Sequence, residues 1–151
     1  MINTIFALKG AKKLGKTPTI KFLYDLFIKR YPNAVEMEEH KIDGYDIRHV
    51  LIVNGVKIGI ESQGDPKYRL FISIPLFVRI KCNIIICATR TRGSTVSLIT
   101  EQSQSYDIKW YQPQKVHKPG EEDSAIPSDR DMANETVATT IFDDVLSAIN
   151  S

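Results

Sequence analysis

Residues 10–17 read Gly-Ala-Lys-Lys-Leu-Gly-Lys-Thr, a stretch in which two glycines are followed by a lysine and a threonine. An apolar run of strand character precedes it at about residues 2–8. After it, residues 20–31 repeat apolar side chains at helical spacing. In the order strand, glycine-rich loop, helix, backbone N–H groups and the positive end of the helix can cradle phosphate oxygens. The stretch therefore predicts a phosphate-binding loop within an α/β fold.

Each fixed position of this loop has a physical role. Gly10 and Gly15 permit the tight turn and the close approach of a phosphate. Lys16 is expected to reach the β- and γ-phosphates of a nucleotide, and the Thr17 hydroxyl to ligate Mg²⁺. The predicted nucleotide-binding residues are therefore Gly10, Ala11, Lys12, Lys13, Leu14, Gly15, Lys16 and Thr17. The alternatives are a glycine turn with a solvated lysine run, or a loop that keeps its shape without affinity.

Length and composition indicate one domain over residues 1–151. The chain is 42% hydrophobic and 25% charged, as is usual for globular proteins. It has neither an apolar run that could cross a membrane nor a signal peptide, so we expect a cytoplasmic protein. Cys82 and Cys87 are expected to be reduced and structural. The N-terminal part is rich in lysine, and polyphosphate binding explains this more economically than nucleic-acid binding does.

Four further strands are predicted after the first. Segments 46–53 and 56–60 flank an Asn-Gly pair, the strongest short signal for a hairpin, and so predict two antiparallel neighbours. Residues 83–88 are apolar throughout after the initial asparagine, as is typical of a buried central strand. Residues 106–111 predict a fifth strand. We therefore expect a mostly parallel five-stranded sheet with one antiparallel hairpin strand.

Helices are expected to connect these strands and to cover both faces of the sheet. Residues 66–82 fit either a strand or a buried helix, and a helix is favoured because parallel strands need a long crossover connection. A further helix is expected from Ser94 to about residue 104. Residues 112–130, rich in proline and acidic residues, predict a mobile loop, and residues 131–150 predict the C-terminal helix. The predicted class is a three-layer α/β protein.

A phosphate loop needs an acidic side chain for its Mg²⁺, normally at the end of a neighbouring strand. Glu61 stands directly after the predicted strand 56–60, and Asp65 follows it in the same polar segment. Either carboxylate can serve the metal, and Glu61 is favoured by its position. In the same segment Gln63 is a candidate to orient a water. The alternative is a simple polar turn.

Two arginines follow the predicted central strand directly. The sequence Thr-Arg-Thr-Arg-Gly over 89–93 lies at the edge of the sheet where parallel strands end. Arg90 and Arg92 are therefore candidates to stabilise a transferring phosphate or to clamp an acidic substrate. The alternative is that both are ordinary surface arginines.

Aromatic and histidine side chains add weaker signals. Trp110 and Tyr111 end the predicted fifth strand and could stack on a nucleotide base, although core packing is favoured for both. The spacing of His40, His49 and His117 suits no metal site. We expect each histidine to be solvated or satisfied by hydrogen bonds.

Three segments together resemble the small bacterial ATP-binding P-loop proteins. They are the loop 10–17, the hairpin 46–60 running into Glu-Ser-Gln-Gly-Asp-Pro, and Ile-Ile-Ile-Cys-Ala-Thr-Arg-Thr-Arg-Gly at 84–93. The similarity spans about residues 3–111 and, more weakly, the last helix. The resemblance implies a P-loop NTPase fold and nucleotide binding, without implying a particular reaction.

The hairpin after the first helix also looks like that of Ras-like GTPases, whose third strand ends in Asp-x-x-Gly. Here Glu-Ser-Gln-Gly at 61–64 stands in that place, with Glu instead of Asp. The guanine-reading Asn-Lys-x-Asp is absent, because the strand that should precede it ends in Thr-Arg-Thr-Arg. This departure favours ATP over GTP.

These signals together predict a protein that binds ATP with Mg²⁺ and hydrolyses it slowly as a switch. Thr17 with Glu61 or Asp65 would hold the metal, and Lys16 with Arg90 or Arg92 would act on the phosphates. A small-molecule kinase, with 112–130 as its lid, remains an alternative. So does a non-catalytic interaction module whose acidic last helix docks a protein partner or a second copy.

Overall fold

A mixed six-stranded sheet organises the part of the chain that the computed structural model describes, residues 1–11, 14–114 and 127–151. The strand order is β2-β3-β4-β5-β1-β6. β1 pairs in parallel with β5 and β6, and β5 with β4, whereas β3 is antiparallel to both β4 and β2. The strands are β1 (Thr4–Lys9), β2 (Val35–Glu36), β3 (Arg48–Val53), β4 (Val56–Glu61), β5 (Ile84–Thr89) and β6 (Asp107–Tyr111).

The prediction of five strands was wrong because the polar stretch after the first helix contributes β2. Val35 and Glu36 pair with Ile52 and Leu51 of β3. A strand of two residues is too short to show the alternation by which strands are recognised in a sequence. The sheet therefore gains a short edge strand beside the hairpin.

The predicted hairpin at 54–55 is confirmed. Asn54 and Gly55 join β3 to β4 with φ angles of 51° and 79°, the left-handed pair that a tight two-residue hairpin requires. The pairing runs from Val53 opposite Val56 to Arg48 opposite Glu61. One further backbone hydrogen bond, from Ser62 N to Ile47 O at 3.0 Å, continues the register past the ends of the strands.

In the described chain, four α-helices cover the two faces of the sheet, which confirms the α/β class with helices on both sides. α1 and α4 pack on one face around Phe27, Ile58 and Ile141, and α2 and α3 pack on the other around Phe77 and Ile85. The helices are α1 (Lys16–Arg30), α2 (Leu70–Arg79), α3 (Ser94–Thr100) and α4 (Pro127–Ile149), with a short 3₁₀ turn at Glu38–His40.

The predicted helices at 66–82 and after Ser94 are confirmed in shorter form as α2 and α3. The last helix begins at Pro127, earlier than predicted, within the segment expected to be a loop. Most of that segment, residues 115–126, lies outside the described residues. Within the described chain, no helix combines the length and apolarity that a membrane crossing needs.

The order of the strands decides which side chains can reach the loop that follows β1. β5 lies between β1 and β4, so the strand that ends at Glu61 is not a direct neighbour of β1. The carboxyl ends of β1, β4 and β5 nevertheless meet at one edge of the sheet, where α/β proteins bind their ligands. The candidate site lies at this edge.

Candidate functional site

The loop after β1 turns tightly into α1. Gly10 N donates to the Thr89 carbonyl of β5 at 3.1 Å, which ties the start of the loop to the sheet. Gly15 precedes α1 with φ 82° and ψ 22°, a left-handed conformation that glycine adopts without strain. Its carbonyl accepts both the N–H and the hydroxyl of Thr19, at 3.1 and 2.6 Å. Of the other predicted loop residues, Ala11 and Leu14 are exposed, and Lys12 and Lys13 lie outside the described residues.

The Lys16 ammonium is buried at the ends of β1 and β5. Its Nζ donates to the carbonyls of Gly10 and Thr89, at 2.6 Å each, and only 8% of the residue is exposed. Burial lowers the pKa of Lys16 to about 8, and the Arg90 charge lowers it further while Asp65 opposes the shift. The loop therefore holds a cation whose charge is little screened by solvent.

A carboxylate that the sequence analysis missed stands beside the predicted metal ligand. The Thr17 hydroxyl donates to Asp46 Oδ1 at 2.8 Å. The Ser62 hydroxyl donates to the same oxygen at 2.9 Å and accepts Ile47 N at 2.8 Å. Asp46 is thus held against the start of α1 by both the hairpin and the helix.

The hairpin carried a signal that could have identified Asp46. The Asn-Gly turn sets the register, in which Arg48 faces Glu61 and Ile47 faces Ser62. Continuing the register by one residue sets Asp46 opposite the polar segment that was already singled out after Glu61. The acidic residue before β3 was therefore as good a candidate metal ligand as the acidic residues after β4.

Glu61, the favoured metal ligand, lies on the other face of the sheet. Its buried carboxylate accepts two hydrogen bonds from Arg69, at 2.7 and 2.9 Å, and one from the Ser73 hydroxyl at 2.6 Å. Gln63 N donates a fourth at 3.0 Å. Because Ser73 belongs to α2 and Arg69 precedes it, these bonds anchor the start of α2. The structure does not bring Glu61 to Thr17.

Asp65 and Arg90 are brought to Lys16 as a pair. Arg90 donates to Asp65 Oδ1 from Nε at 2.9 Å, and its second nitrogen lies 2.8 Å from the same oxygen. The segment before Asp65 lies directly on the end of β5, where a Cβ at Gly64 would come within 2.6 Å of the Ala88 carbonyl oxygen. Arg92 is exposed and makes no ion pair within the described chain.

Residues from the C-terminal third of the chain close on the loop from two sides. A Cβ on Gly10 would lie 3.0 Å from the Pro113 ring, and one on Gly15 would lie 2.6 Å from Asn134 Oδ1 of α4. A side chain at Gly10 would therefore crowd Pro113, and one at Gly15 would both displace the Asn134 amide and strain the backbone. The sequence identified the two glycines, but it did not indicate that Pro113 and Asn134 pack against them.

The end of β6 separates the two aromatic candidates. Tyr111 stacks on Phe6 and donates its hydroxyl to Asp144 Oδ2 at 2.6 Å, so it packs in the core as favoured. For Trp110 the expectation of core packing was wrong, because it points to the other face of the edge strand and is 36% exposed, with Lys9 Nζ 5.1 Å from its ring centroid. Cys82 is buried, and burial raises the pKa of its thiol to about 12, which fits a structural role.

Among the described residues, no three histidine, cysteine or acidic side chains cluster closely enough to hold a metal ion alone. This matters less for Mg²⁺, which is commonly bound by one or two carboxylates together with substrate phosphates and water. Thr17 and Asp46 offer two protein oxygens of the hard kind that Mg²⁺ prefers.

No family model matches this chain, and neither a curated protein nor a solved structure matches it at a significant level. Its function is therefore inferred from the geometry of the site.

Proposed function

We propose that this protein binds ATP with Mg²⁺ at residues 10–17 and hydrolyses it slowly, as a nucleotide-dependent switch. The observation that carries the proposal is the grouping of a buried ammonium, a hydroxyl and a carboxylate at the start of α1. Lys16, Thr17 and Asp46 all lie where the loop after β1 enters the helix. The first N–H groups of a helix have no partner within it, and they favour a phosphate at this end.

In this proposal Lys16 exchanges its two carbonyl acceptors for oxygens of the β- and γ-phosphates. Thr17 and Asp46 hold Mg²⁺, either directly or through a water. We assign the role of metal ligand to Asp46 instead of Glu61. Asp46 contacts the Thr17 hydroxyl, whereas both carboxylate oxygens of Glu61 are hydrogen-bonded to Arg69, Ser73 or the backbone. Asp65 remains a second candidate carboxylate near Lys16.

The Asp65–Arg90 pair supports slow hydrolysis. Arg90 is the one arginine of the predicted pair that lies near Lys16, and its guanidinium is held by Asp65. A guanidinium that stabilises the charge of the transition state accelerates phosphoryl transfer by orders of magnitude. While Arg90 is paired with Asp65, its guanidinium does not stabilise the transition state. A partner or a rearrangement that separates the two would speed the reaction.

Calorimetric titration with ATP, ADP, GTP and GDP, with and without Mg²⁺, tests the proposal together with an assay of phosphate release. We expect the tightest binding for ATP with Mg²⁺, and slow release of phosphate. Release that rises sharply with an added small-molecule acceptor would indicate a kinase, and binding without any release would indicate an interaction module. Absence of binding by all four nucleotides would refute the proposal.

Substitution of Asp46 tests the assignment of the metal. Mg²⁺ should increase the affinity for ATP, and we expect this increase to be about tenfold smaller in Asp46→Asn. The reason is that a neutral amide binds the cation more weakly than a carboxylate. Glu39→Gln is the matched control, since Glu39 is exposed in the same connection between α1 and β3. If Glu61→Gln abolishes the effect of Mg²⁺ while Asp46→Asn leaves it intact, the assignment belongs to Glu61.

A further inference from the structure

A cleft lies between α1 and the segment before β3, and Lys21, which lines it, is one helical turn beyond Thr17. Its volume is about 400 Å³, within the range of small-molecule sites. Lys21, Tyr24 and Asp25 form the wall that α1 contributes. The segment before β3 forms the opposite wall, with Lys41 and Asp43 as its charged residues. Gly44 and Ile47, on either side of Asp46 in the chain, also line the cleft, but Asp46 itself does not.

His49 of β3 lines this cleft with its ring fixed from two sides. Its Nδ1 lies 2.6 Å from Glu36 Oε1, and the ring stacks on Tyr24 with centroids 3.8 Å apart and planes 12° apart. Glu36 also accepts the Tyr24 hydroxyl at 3.3 Å and Val50 N at 3.2 Å. Burial and the Glu36 charge raise the pKa of Tyr24 to about 12, so its hydroxyl stays protonated and keeps donating. The imidazole is therefore preorganised.

The hydrogen bond to Glu36 occupies one ring nitrogen of His49 and leaves the other for a ligand. A carboxylate in contact with a phenol and a backbone N–H acts as an acceptor, so the proton between Glu36 and His49 belongs to Nδ1. No group in the described chain bonds to Nε2. His49 is 2% exposed, yet no fully buried side-chain nitrogen or oxygen of the described residues lacks a partner. Nε2 is thus open to the cleft.

The charges of the two walls are balanced. Each wall carries one lysine and one aspartate, Lys21 with Asp25 on α1 and Lys41 with Asp43 opposite. Lys21 Nζ contacts the Gly44 carbonyl at 3.2 Å and makes no ion pair within the described chain, whereas Lys41 lies 3.9 Å from Asp43. A simple anion in this cleft would face two carboxylates, and a simple cation two ammonium groups. The charge pattern is complementary to a molecule that carries both signs.

We propose that this cleft binds a small zwitterion of the amino-acid class. The ligand ammonium pairs with Asp25, the ligand carboxylate pairs with Lys21, and His49 Nε2 forms a hydrogen bond with the ligand. This site goes beyond the proposed nucleotide function, because Lys16, Thr17 and Asp46 are not among the residues that line it.

Nitrogen NMR of the His49 ring in the nucleotide-free protein tests this proposal directly. The probes are the free amino acids at millimolar concentration, each compared with its N-acetyl and methyl-ester derivative. We expect the Nε2 resonance to shift with at least one free amino acid and with neither of its blocked forms. The experiment is repeated in Lys16→Met, where the same shift is expected, so that failure of the nucleotide proposal does not affect the result.

Surface substitutions identify the charges that bind the ligand. Lys21→Gln and Asp25→Asn should each weaken the amino acid about tenfold, the effect of losing one charge-assisted hydrogen bond. Lys29→Gln, an exposed lysine in the last turn of the same helix, should leave the affinity unchanged. The proposal is overturned if no free amino acid shifts Nε2, or if inorganic phosphate, a neutral sugar or the blocked forms shift it equally.

Discussion

Lys16 is the residue at which burial, hydrogen bonding and charge combine most clearly. Its ammonium is held by two backbone carbonyls in a place where solvent stabilises it poorly, and burial is the main reason that its pKa falls to about 8. A bound phosphate would add negative charge beside this ammonium, where the one nearby carboxylate among the described residues, Asp65, is engaged by Arg90. Nucleotide binding and protonation of Lys16 should therefore be coupled.

This coupling predicts the pH dependence of ATP binding. Below pH 8 the free protein already carries the ammonium, so affinity is at its full value. Above pH 8 binding must take up a proton, and affinity should fall roughly tenfold from pH 7 to pH 9. Titration calorimetry in two buffers of different ionisation heat measures the proton uptake. A flat profile, with no proton uptake at pH 9, would show that Lys16 does not meet the phosphates.

At this scale the sequence predicted the turn from β1 into α1 better than the residues that surround it. Lys16 and Thr17 are marked by a contiguous motif, which needs no knowledge of the fold. Asp46 is distant along the chain and meets Thr17 only because the hairpin and α1 pack together. Glu61 was favoured because it ends a strand, but side chains alternate between the faces of a sheet. Its face could not be chosen before the packing of β4 was known.

Among the elements, β4 and α2 depend on a glycine in the middle of the strand. A Cβ at Gly59 would lie 2.6 Å from the Phe77 ring of α2, so the helix packs against bare backbone there. The Glu61 ion pair with Arg69 anchors the same helix at its start.

α2 was hard to identify from the sequence because residues 70–80 also alternate like a strand. The helix was nevertheless predicted correctly, because two parallel strands need a long crossover connection between them.

Substitution of this glycine gives a prediction for the packing of α2. Gly59→Ala should lower the free energy of unfolding by about 1–3 kcal/mol, because the added methyl overpacks a buried ring. Adding Phe77→Leu in the same chain removes the ring, so the double variant should lose less than the sum of the two single variants. Urea unfolding measures all four proteins. Strictly additive losses would show that the two side chains do not meet.

At the scale of the whole molecule, the described residues form a sheet between two hydrophobic cores. α1 and α4 cover one face, and α2 and α3 cover the other. The three layers could be predicted, because helical and strand patterns alternate along the chain. The order of the strands could not, since β5 enters between β1 and β4 from a distant part of the sequence. That order brings the end of β5 beside the loop and places Thr89 and Arg90 next to Lys16.

Because α1 and α4 both close on the loop 10–17, a ligand bound there should stabilise the folded chain as a whole. Thermal melting with saturating ATP and Mg²⁺ is therefore the most direct test of the proposed site. A ligand at a hundred times its Kd adds about 2.7 kcal/mol, or about 5–10 °C in Tm for a chain of this size. We expect this rise in the wild-type protein and in Lys29→Met, and none in Lys16→Met. An equal rise in Lys16→Met, or no rise in any of the three, would contradict the account.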